Sequence, residues 1–276
     1  MKVSICIPTY NQVKYLKKTL DSILIQSYQD FEVIVSDDSS TIDVSLLVDT
    51  YRNKFANRLR FSKNELPLGS PSNWEHAISL AKGDWIKIMH HDEWFCSKDS
   101  LLKLVEQTDN GIHSFIFAGI HGKYVKNGEE YSNLPSIELI EKIKKDPFHL
   151  ILGNFIGPPS CILFPKSEIT FDNKLRWLVD IDFYIRLVLD DHLTISYIQE
   201  LLLENCMDEH NITNQYVGDM EMQLTEYIYL LRKYSKQMSL KQKIWYFKCT
   251  FQFLNSFKKQ YSLFLFIRLL KKRLYV

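Results

Sequence analysis

Short apolar runs and helical apolar stripes alternate along the first ninety residues. Val3-Ser4-Ile5-Cys6-Ile7-Pro8 is apolar and β-branched, and Thr9-Tyr10-Asn11 closes it with polar side chains. Leu16, Leu20 and Ile23 then recur at helical spacing. Phe31-Glu32-Val33-Ile34-Val35-Ser36 predicts a second strand, ended by Asp37-Asp38-Ser39-Ser40. A helix is expected over 41–51, for which Asp37 or Asp38 offers an N-cap. Asp84-Trp85-Ile86-Lys87-Ile88 predicts a further strand, and Met89-His90-His91-Asp92-Glu93-Trp94 follows it. Strand, helix, strand at this spacing is a βαβ unit, with parallel strands and a right-handed crossover. The polar segments after each strand then collect at one sheet edge, the edge where open α/β sheets hold ligands.

The second half is patterned more sparsely. Asn154-Phe155-Ile156-Gly157-Pro158-Pro159-Ser160 predicts a rigid turn, and Cys161-Ile162-Leu163-Phe164 a strand. A helix is expected to start near Trp177, with Ile181, Tyr184, Ile185 and Val188 on its apolar stripe. Asp180 and Asp182 fall in its first turn, where the helix dipole favours negative charge.

Charge changes the picture of the C-terminus. Residues 227–276 hold twelve Lys and Arg and no Asp or Glu, while residues 1–226 carry 22 basic and 33 acidic side chains, a net of −11. In this tail Ile244, Phe247, Phe251, Leu254, Phe257, Tyr261, Leu265 and Leu269 recur every three or four residues. That pattern predicts amphipathic helices, aromatic on one side and cationic on the other. They match either an anionic membrane surface or a face of the preceding domain. A basic stripe also permits nucleic acid; no nucleic-acid-binding motif accompanies it, and no such partner is expected. No apolar run approaches the ~20 residues needed to span a bilayer.

Composition fits a folded protein: 276 residues, 46% hydrophobic and 13% aromatic, exclude general disorder. Five scattered cysteines without a CxxC pair read as reduced thiols. With a first strand that begins at once, they lead to the expectation of a cytoplasmic protein without a signal peptide. For chemistry, His90-His91-Asp92-Glu93 places two imidazoles and two carboxylates at a strand end, a set suited to a divalent cation or to a solvated loop. There is no GxGxxG and no GxxxxGK[ST]. Phosphate would therefore be held by a metal rather than by a glycine-rich loop.

Three segments together resemble a known family. Val3 to Asn11, Leu20-Asp21-Ser22-Ile23-Leu24-Ile25-Gln26-Ser27-Tyr28, and Phe31 to Ser40 are similar to the family 2 glycosyltransferases of the GT-A fold. Asn64, Gly69, Asn73 and Ala81-Lys82-Gly83-Asp84-Trp85-Ile86 continue the likeness, closely over residues 1–95 and more loosely to 215. The resemblance implies a mixed α/β sheet whose nucleotide-sugar half (1–95) is fused to an acceptor half (96–215), followed by the basic aromatic segment 216–276. It implies that Pro8, Thr9 and Tyr10 line the nucleotide pocket. Asp38, with Asp37 beside it, would accept a hydrogen bond from base or ribose, and Asn73 and His91 would assist. The family's Asp-x-Asp metal motif falls on His90-His91-Asp92, so that Asp92 and His90, helped by Glu93, would hold Mg²⁺ or Mn²⁺. His210 sits where similar enzymes place a late histidine. The family's Glu-Asp motif falls on Val179-Asp180, which makes Asp180 the expected base; the 154–160 turn would border the acceptor.

The expectation is an inverting, metal-dependent transferase. It would move a sugar from a nucleoside diphosphate donor, a UDP-sugar, to a saccharide acceptor. The basic tail extends this to a polyprenyl-diphosphate-linked acceptor of a bacterial surface polysaccharide and to a protein held peripherally at the inner face of the cell membrane. Two rivals remain at this point. A sugar nucleotidyltransferase would show an early glycine- and arginine-rich loop, which this N-terminus lacks. A non-catalytic sugar-nucleotide-binding or scaffold protein of the same fold is the other, favoured by the His90 and Val179 departures.

Overall fold

Period-2 alternation divides the first strands between two hydrophobic cores. In the computed structural model, which describes residues 3–108, 114–208, 216 and 219–257, strand β1 (Val3–Thr9) sends Val3, Ile5 and Ile7 to one core and Cys6 to the other. Strand β2 (Phe31–Asp37) likewise splits Phe31, Val33 and Val35 from Ile34. Both strands are buried along their whole length. That is why they read as continuous apolar runs rather than as half-polar strands.

Helices α1 (Lys14–Leu24), α2 (Asp43–Asp49) and α4 (Ser100–Glu106) cover the first face; Leu16, Leu20 and Ile23 of α1 are completely buried there. Helices α3 (Ser72–Ser79), α5 (Ile137–Lys145) and α6 (Val179–Leu189) cover the second. The remaining strands are β3 (Leu59–Lys63), β4 (Trp85–Ile88), β5 (Glu93–Phe95), β6 (Ser114–Tyr124), β7 (Glu130–Asn133), β8 (Ile162–Pro165) and β9 (Thr194–Met207). They complete a nine-stranded mixed sheet of order β3-β2-β1-β4-β8-β6-β9-β5, with β7 on β6. The strands β3, β2, β1 and β4 are parallel, and β8 enters antiparallel. Thr9, Asp37 and Ile88 therefore end on one edge, which the start of β8 and the end of β9 share.

The last two described helices belong to the second core. Tyr227 and Leu230 of α7 (Met220–Lys233) and Tyr246 of α8 (Leu240–Phe257) are buried in it. The α7 end is also tied to α6 electrostatically. Asp182 is fully buried, and its carboxylate meets Arg186 Nη2 at 2.8 Å, Lys233 Nζ at 2.7 Å and the Tyr234 hydroxyl at 2.7 Å. The helix-terminus role expected of Asp182 is thus joined by a second one, the anchoring of α7.

The tail behaves differently from a uniform stripe. Tyr246, which lies off that stripe, enters the core and donates its hydroxyl to Asp146 Oδ2 at 2.6 Å. Leu240, Ile244 and Trp245 stay exposed beside Lys241 and Lys248 on one face of α8. Within 240–249 the helix thus packs on the domain through Tyr246 and leaves Leu240, Ile244 and Trp245 exposed. Phe251, Leu254 and Phe257 have no described side chains, and the stripe from Tyr261 on lies outside the described residues. No described helix is long and apolar enough to cross a membrane.

Removing one partner of a buried ion pair leaves the others unsolvated. Asp182→Ala should therefore lower unfolding free energy by about 3–5 kcal/mol in urea titration. A loss below about 1 kcal/mol would show that Arg186 and Lys233 find water instead.

Candidate active site

Five polar side chains lock the ends of β1 and β2 together. Asp37, completely buried, accepts from Thr9 Oγ1 at 2.8 Å, from Ser39 N at 3.0 Å and from Lys63 Nζ at 2.9 Å. Asn73, buried on α3, donates to Ser36 O at 3.1 Å and accepts from Ser36 Oγ at 2.6 Å. Both Asp37 and Asn73 are thus engaged by protein donors and acceptors. Pro8 and Thr9 are buried at the end of β1, and Tyr10 is 58% exposed beside them.

Asp38 fastens the loop that closes this end. Its carboxylate accepts from Asn64 Nδ2 at 2.7 Å, Leu68 N at 3.1 Å and Gly69 N at 2.8 Å. A carboxylate offers about four lone-pair sites, so these three bonds leave one over. Gly69 has φ +72°, a backbone conformation natural to glycine.

The β4–β5 connection carries the histidines. His90 Nδ1 lies 3.1 Å from Glu93 Oε2, which also accepts from His90 N at 3.0 Å. The ring packs on Trp74, with centroids 4.8 Å apart. Burial pushes the His90 imidazole down, but the carboxylate of Glu93, aided by Asp92 and Asp180, overturns this and holds it above the usual histidine range. For Glu93 burial pushes the other way, and His90 keeps it below the usual carboxylate range. Burial holds the His91 imidazole low, although its ring bonds to the Pro8 carbonyl. Asp92 is raised, first by burial and then by Glu93, against the pull of His91 and His90.

Asp180 approaches from α6. Asn154 Nδ2 donates to Asp180 Oδ2 at 2.6 Å, while Asn154 Oδ1 accepts from Gly157 N at 2.9 Å. The 154–160 turn thereby orients the carboxylate, and Gly157, at φ +100°, lies so close to Cys161 that a Cβ would clash. Burial raises Asp180 to about 6, against the lowering by the Ile181 amide and by His90. A base poised there is mostly ionised at pH 7 yet retains affinity for a proton. The structure therefore brings Asp180 within electrostatic reach of His90. His210 lies outside the described residues.

A divalent cation fits this donor set in a limited way. Among the described residues no three His, Cys, Asp or Glu side chains form a metal cluster. His90 Nε2, however, is buried with no hydrogen-bond partner, and Glu93 backs the opposite nitrogen. A carboxylate behind a histidine is the arrangement that orients imidazole toward a metal. Asp92 is two residues away. Cations of this kind commonly take only one or two protein ligands and fill the rest of the shell with phosphate oxygens and water.

Three contributors escape the sequence patterns. Lys87 is completely buried, donates to the carbonyls of Ser160 and Ile162, and is pushed down to about 8 by burial. A lysine inside an apolar strand was its available signal. Trp74 shows no distinguishing pattern. Glu226 is the last acidic residue before the basic tail; its carboxylate accepts from Arg176 N at 2.6 Å, Trp177 N at 2.9 Å and Leu178 N at 2.8 Å.

The mixed sheet, parallel over β3-β2-β1-β4 with β8 antiparallel beside them, is the architecture of a GT-A fold. The family model for glycosyl transferase family 2 matches residues 4–169, and the chain belongs to that family. It is 36% identical over 112 residues to the abequosyltransferase RfbV of Salmonella typhimurium, covering 40% of this chain and 33% of that protein. It is 28% identical over 192 residues to the putative colanic acid biosynthesis glycosyl transferase WcaA of Escherichia coli, covering 68% of this chain and 66% of that one. The chain thus spans between a third and two thirds of these two relatives' length. Among solved structures, Staphylococcus aureus TarS 1-349 in complex with UDP-GlcNAc aligns with a TM-score of 0.70 at 21% identity, covering 98% of this chain and 80% of that one. The Pyrobaculum calidifontis mannosyltransferase PcManGT, in complex with GDP-Man and Mn²⁺, aligns at 0.58 with 14% identity, covering 97% and 78%.

The raised Asp180 has a stability consequence. A carboxyl group whose folded pKa exceeds its unfolded value stabilises the fold below about pH 4, and that contribution is lost as pH rises through about 6. Asp180→Asn should accordingly be more stable than wild type at pH 7, by about 1–3 kcal/mol, and equal to it below pH ~4. Urea unfolding at both pH values checks this; a destabilised variant at pH 7 would show that the charged carboxylate is well solvated.

Proposed function

We propose that the chain transfers a sugar from a nucleoside diphosphate donor, a UDP-sugar, to a hydroxyl of a saccharide acceptor, with inversion at the anomeric carbon. One observation carries the reading: a half-buried carboxylate raised to about 6, Asp180, lies within electrostatic reach of His90 in the histidine–aspartate loop. Family membership supports sugar transfer as the reaction class, and relatives named for abequosyl and glucosyl transfer support a surface-polysaccharide setting.

The side chains divide the work. Tyr10 and the loop that Asp38 fastens bracket the nucleoside, and Asp38 keeps one acceptor position toward it. His90 Nε2 and Asp92 would hold the Mg²⁺ or Mn²⁺, which supplies compensation for charge on the diphosphate leaving group. Asp180, oriented by Asn154, takes the proton of the acceptor hydroxyl as that oxygen attacks the anomeric carbon. A sugar hydroxyl is a poor nucleophile near neutral pH, so the step depends on a positioned base. Glu93 and Asp182 are committed to His90 and to Arg186 and Lys233. Neither is placed to serve as a second nucleophile, which favours a single, inverting displacement.

The acceptor is read as lipid-linked and the protein as peripheral at an anionic membrane surface. Leu240, Ile244 and Trp245, exposed on the same face of α8 as Lys241 and Lys248, support this. Such a face gains from burial of apolar area and from attraction to anionic headgroups.

A panel of UDP-, GDP- and dTDP-sugars, titrated calorimetrically with and without Mn²⁺, should select a UDP-sugar and show tighter binding with the ion. Asp92→Ala should remove that enhancement, and metal-independent binding in both proteins would refute the ligand assignment. With the selected donor, Asp180→Asn should lower kcat by about 10²–10⁴-fold while the donor affinity stays unchanged. Wild-type turnover in Asp180→Asn would exclude it as the base. For the membrane, Ile244→Ser/Trp245→Ser should weaken cosedimentation with phosphatidylglycerol vesicles, and added salt should weaken it further without abolishing it. Equal recovery of variant and wild type would leave α8 as a purely domain-packing helix.

A further inference from the structure

The described helices α6 and α7 meet at one carboxylate. Glu226, two turns before Lys233 on the same face of α7, is buried and directs both oxygens at the segment that opens α6. Three consecutive backbone amides, Arg176, Trp177 and Leu178, donate to it at 2.6, 2.9 and 2.8 Å. Leu178 is the residue at the cap position of α6, and it makes no side-chain cap of its own. Amides at a helix start have no intrahelical acceptor. Here a side chain from another helix supplies one, and bonds from N–H to a carboxylate are the stronger, charge-assisted kind. Asp180 follows Leu178 by two residues.

We infer that Glu226 is a positioning residue for catalysis: it fixes the first turn of α6 and thereby holds Asp180 against Asn154 and toward the acceptor. This rests on Asp180 being the base, and it makes helix α7, which lies beyond the residues matched by the family model, a working part of the active site. The geometry assigns the register. With three successive amides pinned, the backbone entering α6 keeps little freedom of rotation, and the Asp180 side chain leaves the helix in one direction. Asn154 then needs to hold only the carboxylate tip. The second tie between the helices, Asp182 to Lys233 and Tyr234, keeps α7 in place when Glu226 is altered. A change at Glu226 therefore loosens the turn without detaching the helix.

The test uses the full chain and the donor selected by the panel, read as nucleoside diphosphate release with acceptor sugars or water. Glu226→Gln keeps the shape, removes the charge and turns one acceptor into a donor facing an amide. A misplaced catalytic group can cost about 10²-fold, so kcat should fall ~10- to 100-fold with the donor KM unchanged. In the Asp180→Asn background the same substitution should change the residual rate less than about 2-fold, since residues that act as one unit are not additive. If Glu226→Gln fails to fold, Glu226→Asp keeps the charge with shorter reach and should show the same split, a lower kcat at constant KM. Three results overturn the inference: wild-type kcat in the folded variant, a parallel loss of donor binding, or losses that multiply with Asp180→Asn. If Asp180→Asn alone leaves kcat intact, the base assignment falls and this inference with it. If Asp180→Asn is inactive and Glu226→Gln is not, only the inference falls.

Discussion

Parallel pairing of β1 with both β2 and β4 is the constraint from which the rest follows. Parallel strands cannot be joined by tight hairpins, so each needs a crossover, and the helices of those crossovers cover both faces of the sheet. The strands must then be apolar throughout, and polar groups are displaced to the strand ends. Because the strands run in one direction, those ends coincide. Thr9, Asp37, Asp38 and His90 meet there although 81 positions separate the first from the last. Once they meet, buried polar atoms must satisfy one another, and the Thr9–Asp37–Lys63 and Ser36–Asn73 bonds do so. The strand ends are held rigid for that reason, while Tyr10 stays exposed beside them.

The half that holds α6 and α7 is built by the opposite logic. Its carboxylates are held by partners far away in sequence: Asp180 by Asn154, Asp182 by Lys233 and Tyr234, and Glu226 by the amides before α6. Asp182 and Glu226 are buried and Asp180 is half-buried, and each is secured by bonds that span between 26 and 52 positions. Desolvation raises Asp180, and Asn154 fixes its direction.

The difference explains what was legible in the sequence. Strands β1, β2 and β4, the stripe of α1 and the start of α6 follow from local periodicity, and they appear where periodicity places them. The His90-Asp92 loop and Asp180 were singled out through the resemblance, which locates them by short motifs. The long β6–β9 ladder has no counterpart among the expected elements: β9 carries exposed and half-buried side chains over most of its length, so no clean alternation marks it. Glu226 and Lys87 act through backbone atoms of distant segments, and no spacing rule reports such contacts. For the tail, amphipathicity identified a helix but not which residue turns inward. Tyr246 does so through the Asp146 carboxylate, a tertiary partner 100 positions away.

The central claim is that one carboxylate, Asp180, activates an acceptor hydroxyl for a single displacement. The stereochemistry of the product tests it most directly. Transfer from an α-linked UDP-sugar, followed by proton NMR during the first turnovers, should give a product with the β-anomeric coupling. A product that retains the α configuration would require a second displacement or front-face attack and would contradict the account.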